Sequence, residues 1–306
     1  MTKMSFADEL AKIEKLSQMS FVDESGTITP VHDLVIKKIA DYLLGDNTTL
    51  VNLIYVCKRF YSLRLIFIQN LCLNDIDSDY FFFGRPYGWD QVHSMTFYAN
   101  KNIKKVSALS KIKHLKIWGC HNITSVAPYS LVPTLHIMNC ESIVDFSCLG
   151  TVQTLILDTC NLAIGFYALG SVRNLTLRRC FNIGDMSVLK GVHTLTLQNI
   201  GMVSDVSALK DVHTLSLIEC RNVHDVSSLG DVHTLLISDC GNITDVSGLW
   251  NVRNLTLRFC REIVDVSALG EVHTLTIEHC PYIKDTTVLS RVKKLSIAGK
   301  TGQTKN

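Results

Sequence analysis

From Val92 to Arg291 the same apolar pattern returns at every twentieth residue without an insertion, and so strict a repeat leaves the chain one way to build a core. One copy is too short to bury its own apolar face, so successive copies must stack and share a continuous interior. Counting each turn from its first apolar residue, position one reads Val92, Ile112, Val132, Val152, Val172, Val192, Val212, Val232, Val252, Val272 and Val292. Position four is Leu except for Met95, and position six is Phe97 and thereafter Ile or Leu. Position nine is Cys120, Cys140, Cys160, Cys180, Cys220, Cys240, Cys260 and Cys280, with Asn100 and Ile200 as exceptions. Position eighteen is Leu in all full turns but one, where Tyr129 stands. A partial turn follows to about Gly299.

Within each turn, Leu-x-Leu alternates at the period of a strand, which puts both leucines inward and the residue between them outward. Stacked turns then pair strand with strand as a parallel sheet. Cysteine suits position nine, where the chain leaves the strand, because it is small, tolerates burial and carries a weak S–H donor. The second half of a turn reads as in Asp205-Val206-Ser207-Ala208-Leu209. Asp and Ser are turn and cap residues, so a short 3₁₀ turn is expected there. One turn departs from this, with Asn161 to Ala168 lacking both the Asp and the Ser.

The segment Val212-x-x-Leu215-x-Leu217-x-x-Cys220 resembles the leucine-rich-repeat consensus, and Asp-x-Ser-x-Leu resembles the short convex side of internalin-type repeats. The resemblance covers about two-thirds of the chain. It implies an α/β solenoid with a parallel β-sheet on the concave face and 3₁₀ turns on the convex one. It says little about function, since one fold hosts many.

Composition narrows the field. A formal charge of +2 over 306 residues gives no support for a nucleic-acid or membrane-surface binder. The longest apolar runs fall short of a bilayer span, and Asp8, Glu9 and Glu14 interrupt any apolar leader. Cytoplasm or nucleus is therefore the expected compartment, and reduced thiols the expected state of the cysteines. A line of stacked cysteines also lacks the convergence that a metal site needs. Neither metal nor cofactor is expected.

The N-terminal part of the chain, up to the first repeat, breaks the period. Ser5-Phe6-Ala7-Asp8 looks like a capping box, followed by Phe6, Leu10, Ile13 and Leu16 on one helical face. A polar linker runs from about Asp23 to Thr29, and a second helical pattern from Val31 to Leu44. The stretch Val56-Cys57-Lys58-Arg59-Phe60 resembles the closing motif of the F-box, the helical module that docks onto Skp1 in cullin-RING ubiquitin ligases. Where that family usually opens with Leu-Pro, this chain has Val31-His32. The resemblance implies a Skp1-like partner held by Val31, Leu34, Ile36, Ile39, Leu43, Val56, Cys57 and Phe60. It further implies a source among eukaryotes or the large DNA viruses that infect them, and in the viral case a location in the host cell.

The expected organisation is an N-terminal helix and linker (1–29), an F-box-like helical domain (30–75), an aromatic-rich junction (76–91), the solenoid (92–299) and a polar tail (300–306). Thr dominates the outward positions three and five and makes a good β surface. Positions seven and eight vary, and exposed aromatics and arginines anchor interfaces. Tyr98, Trp118, Arg178, Arg179, Arg258 and Phe259 are therefore the candidates for partner contact. Position two holds His93, His193, His213, His233 and His273, read as a solvated turn repeated by duplication. No constellation has a catalytic pattern. The expectation is a non-enzymatic adaptor, monomeric outside its complex, with Skp1 at one end and an unidentified protein substrate on the concave face. A stand-alone scaffold, its N-terminal helices serving only as a cap, is the alternative.

Overall fold

The computed structural model describes residues 20–22, 28–30, 70–74, 94–98, 112–160, 166–180 and 183–299. The chain divides into two units, Met1–Phe67 and Ile68–Asn306. In the first, β1 (Ser20–Val22) pairs antiparallel with β2 (Ile28–Pro30), Phe21 lying opposite Thr29. The positions assigned to Skp1 contact, Val31, Leu34, Ile36, Ile39, Leu43, Val56, Cys57 and Phe60, lie outside the described residues.

The second unit is built on one parallel sheet. Its strands are β3 (Asn70–Asn74), β4 (Ser94–Tyr98), β5 (His114–Trp118), β6 (Thr134–Met138), β7 (Thr154–Asp158) and β8 (Asn174–Arg178). They continue as β9 (Thr194–Gln198), β10 (Thr214–Ile218), β11 (Thr234–Ser238), β12 (Asn254–Arg258), β13 (Thr274–Glu278) and β14 (Lys294–Ala298). Strand order in the sheet is chain order. From β4 onward the register is the sequence period itself, so that Leu215 lies between Leu195 and Leu235. The sheet also reaches one strand further back than the regular repeat: β3 pairs with β4, Asn70 opposite Ser94. Residues 70–74 are thus a strand of the solenoid sheet and not the end of a helical segment. The step from Asn70 to Ser94 is longer than the regular step from Ser94 to His114, so a fixed frame counted back from the repeat passes over β3.

In a regular turn the apolar positions point inward together. In the turn that begins at Val212 they are Val212, Leu215, Leu217, Cys220, Val223, Val226 and Leu229, none more than 1% exposed. Each meets its equivalents above and below, so one cross-section of the core is repeated along the axis. On the far side the chain runs through 3₁₀ turns such as Ser207–Leu209, Ser227–Asp231 and Ser267–Glu271. These pack closely: a Cβ at Gly170 would stand 2.3 Å from the Val188 carbonyl oxygen. Asp145, Asp185, Asp205, Asp225, Asp245, Asp265 and Asp285 each accept a 2.8 Å hydrogen bond from the backbone N–H two positions ahead, which sets the start of the turn. In the irregular turn, 161–165 lie outside the described residues, and Phe166 then packs against Phe146 at 6.2 Å between ring centroids.

The strands end alike because position eight is left-handed. Asn139, Thr159, Arg179, Asn199, Glu219, Asp239, Phe259 and His279 have φ between 49° and 55°, and Gly119 and Gly299 also have positive φ. There the backbone N–H still reaches the next strand, as from Asn199 to the Ile218 carbonyl at 2.8 Å and from Phe259 to the Glu278 carbonyl at 2.9 Å. The thiol that follows closes the sheet. Cys220 Sγ donates toward the Ile218 carbonyl at 3.5 Å and the Leu197 carbonyl at 3.4 Å, and the other ladder cysteines from Cys140 to Cys280 repeat both contacts. All the ladder cysteines, Cys120 included, are free thiols and buried. Burial pushes the Cys140 thiol up to about 11, so it stays a neutral donor.

At the last strand the stack opens. Leu295 and Ile297 are 40% and 38% exposed, at positions that are sealed in the turns before them.

Both the left-handed column and the convex carboxylates can be probed by stability. Left-handed backbone costs a residue with a Cβ about 1 kcal/mol or more, and Asn bears it better than Glu. Glu219→Asn should therefore raise stability by about 1 kcal/mol in a urea melt. On the convex side, the serine backbone N–H and then its hydroxyl hold Asp145, Asp205, Asp245 and Asp265 below the ordinary 3.8. At Asp185, Asp225 and Asp285 the side-chain hydroxyl leads. A lowered folded-state value means stability that is complete above 3.8 and lost as pH falls through the lowered value. The melting temperature should fall over that acid range, and Asp205→Asn, which keeps an acceptor but does not titrate, should flatten the slope.

Candidate functional site

The solvent face of the sheet is formed by positions three, five and seven, with position eight on its rim. Two groups of residues stand out on it, one on β5 to β8 and one on β12 and β13.

In the first group, position five runs Lys116, His136, Ile156, Thr176 on successive strands, and position seven runs Trp118, Met138, Asp158, Arg178. The Lys116 ammonium lies 5.5 Å from the Trp118 ring centroid, within cation–π range. Asp158, although on the outer face, is only 2% exposed. Its Oδ1 accepts from Arg179 Nη2 at 2.6 Å and from Thr159 Oγ1 at 2.9 Å, and Arg179 Nε donates to Thr159 Oγ1 at 3.1 Å. The left-handed backbone at Arg179 folds its side chain back over the previous strand, which places this pair. His136 and Arg178 each keep one buried nitrogen, Nε2 and Nε, without a hydrogen-bond partner among the described residues. Burial and then the nearby Lys116 lower the His136 value below 6.5; Arg178 acts the same way, and Asp158 opposes them. This histidine is therefore neutral at neutral pH.

In the second group, Arg258 Nε donates to Glu278 Oε2 at 2.6 Å across adjacent strands. The Phe259 ring stacks on His279 at 5.0 Å, nearly parallel at 3°. Both rings belong to left-handed residues at the rim.

The candidates singled out from sequence thus do not form one site. Trp118 joins Lys116 and Met138; Arg178 and Arg179 gather around Asp158; Arg258 and Phe259 stand four strands further on. For Tyr98 the backbone alone is described, in register with Trp118. Lys116, His136 and Asp158 were missed. Their signal was present: Lys116, His136 and Ile156 replace the prevailing Thr at position five, and Asp158 stands one repeat before Arg178. The histidine column is also more than a solvated turn. The rings of His193, His213 and His233 stack at 4.6 and 4.5 Å, close to the strand spacing, and each Nδ1 contacts the next Thr hydroxyl.

Among the described residues no group of three or more His, Cys, Asp or Glu side chains is arranged to hold a metal ion. Among the same residues no helix is long and apolar enough to cross a membrane.

No protein-family model and no curated protein sequence matches the chain. Among solved structures it is similar to an internalin, InlF, of Listeria monocytogenes (20% identity, TM-score 0.49, 75% of this chain and 73% of that one). A leucine-rich-repeat protein of Leptospira interrogans is similar at 13% identity and TM-score 0.45, covering 78% of this chain and 73% of that one. The functional domain of InlJ from Listeria monocytogenes, described as including a cysteine ladder, is similar at 12% identity and TM-score 0.36, covering 73% and 70%. The leucine-rich-repeat solenoid is read from this chain's own repeat and sheet.

The two ion pairs differ in depth, and this is testable. Asp158 is 2% exposed against 28% for Glu278. Arg179→Ala should strand a buried carboxylate at a cost of about 1–3 kcal/mol, whereas Arg258→Ala should cost under about 1 kcal/mol. Chemical denaturation of the two variants checks the order.

Proposed function

We propose that this chain is a protein-binding adaptor and not an enzyme. Its polar, aromatic and charged variation is spread along the outer face from β5 to β13, over an apolar interior that scarcely varies. That distribution carries the reading: a catalytic site converges on a few atoms, whereas an interface spreads its anchors over a surface. The row of short parallel strands offers a broad footprint for a folded partner or an extended segment.

The F-box-like stretch from Val31 to Phe60 supports a finer reading, in which the chain is the substrate-recognition subunit of an SCF-type ubiquitin ligase. Skp1 would be held by the N-terminal segment and the substrate by the sheet. The motif Val56-Cys57-Lys58-Arg59-Phe60 is the ground for it. A pull-down of Skp1 by the full chain, against Val56→Asp and Phe60→Asp, tests this reading. Retention by the intact chain and a loss of roughly tenfold or more in either variant is expected, the size of an interface anchor. An intact chain that fails to retain Skp1 reduces the protein to a stand-alone scaffold.

A further inference from the structure

Four cations lie in the two groups on the sheet face, and they are not equivalent. Arg179 is committed to Asp158 and Arg258 to Glu278. Among the described residues, Lys116 and Arg178 form no ion pair with a carboxylate. Between them, Met138 at position seven and Ile156 at position five are apolar, His136 and the Arg179-covered Asp158 hold the other two positions, and Trp118 stands beside Lys116. Lys116 on β5 and Arg178 on β8 are three strands apart and offset by two residues along the strand, since the β8 partner of Lys116 is Thr176, which makes about 16 Å at the usual spacings.

We propose that this patch binds an acidic, extended segment of a protein partner, lying across strands β5 to β8, with carboxylates at residues i and i+4 and an apolar side chain at i+2. The match is one of length and charge. Four steps of extended chain advance about 13–14 Å, the long Lys116 and Arg178 side chains span the remaining few ångström, and i, i+2 and i+4 face the same way. One carboxylate then meets Lys116, the other meets Arg178, and the apolar residue settles on Met138 and Ile156. His136, neutral beside Lys116, adds no competing charge. A nucleic acid fits less well, because the apolar side chains of Met138 and Ile156 offer a phosphate nothing. This inference rests on the sheet face being the receiving surface, and it does not need the Skp1 link.

The test uses the full chain and a labelled peptide, acetyl-Ser-Glu-Ser-Leu-Ser-Glu-Ser-Gly, followed by fluorescence anisotropy. Matched peptides carry Lys in place of Glu, or the two Glu residues three apart. The Glu peptide at i and i+4 should bind best, and added salt should weaken it. Lys116→Glu and Arg178→Glu should each weaken binding about threefold, as expected for partly exposed pairs. Asp158→Asn should tighten it by releasing Arg179, a gain that damage to the fold does not produce. Equal binding of the Lys peptide, indifference to both charge reversals, no binding by the intact chain, or preference for a single-stranded oligonucleotide would each overturn the proposal. Skp1 retention by the same samples keeps the two readings apart: Skp1 bound without the peptide sinks this inference alone, and the peptide bound without Skp1 sinks only the ligase link.

Discussion

Everything in the second unit depends on stacking like upon like at the strand spacing. Because the repeat keeps one length with no insertion from β4 to β14, a buried residue lies between two equivalents of itself, and a solution for one turn serves all. Leucine on leucine closes the interior; thiol after thiol closes the sheet's edge; aspartate after aspartate starts the 3₁₀ turns. The same rule acts outside the core. Histidines at position two of consecutive turns lie one strand spacing apart, and the rings of His193, His213 and His233 stack. A free thiol at position nine is a modest donor, but the ladder from Cys140 to Cys280 adds a second donor to carbonyls that already accept a backbone N–H at the sheet's end.

Strand placement, the inward set, the buried cysteines and the capped 3₁₀ turns were legible in sequence, because each follows from periodicity or from the chemistry of one residue type. The left-handed column was legible only in part. Gly119, Asn139, Asn199, Asp239 and Gly299 are residues that favour such backbone, but Phe259, Arg179 and Glu219 resist it by intrinsic preference. They adopt it because the ladder hydrogen bond on one side and a buried residue on the other leave no alternative, a case of tertiary context overriding propensity. β3 escaped because its spacing is longer than the period. The Lys116, His136 and Asp158 cluster escaped for a different reason. A column dominated by threonine reads as background, and what matters is where adjacent turns depart from it together.

Placing charge on such a sheet has a cost that the structure makes visible. Asp158 is on the open face yet sealed beneath Arg179, so one of the cations gathered there is already neutralised. At the far group the pairing is more exposed, and aromatic stacking of Phe259 on His279 takes over. The face is therefore divided into stretches with separate electrostatic characters, joined by strands β9 to β11 whose positions three, five and seven carry no charge, and recognition need not engage all of it at once.

The left-handed residue after each strand from β5 to β14 makes the sheet grow in one dimension only. Each strand is cut at the same length, so the face cannot widen, and every added turn lengthens it by one strand spacing, about 4.8 Å. The solenoid is in this sense a ruler with fixed graduations. Gain or loss of a whole turn between two contact residues would shift their separation by one graduation while leaving each local contact intact. Specificity in this architecture can thus be retuned by counting, without altering a single side chain.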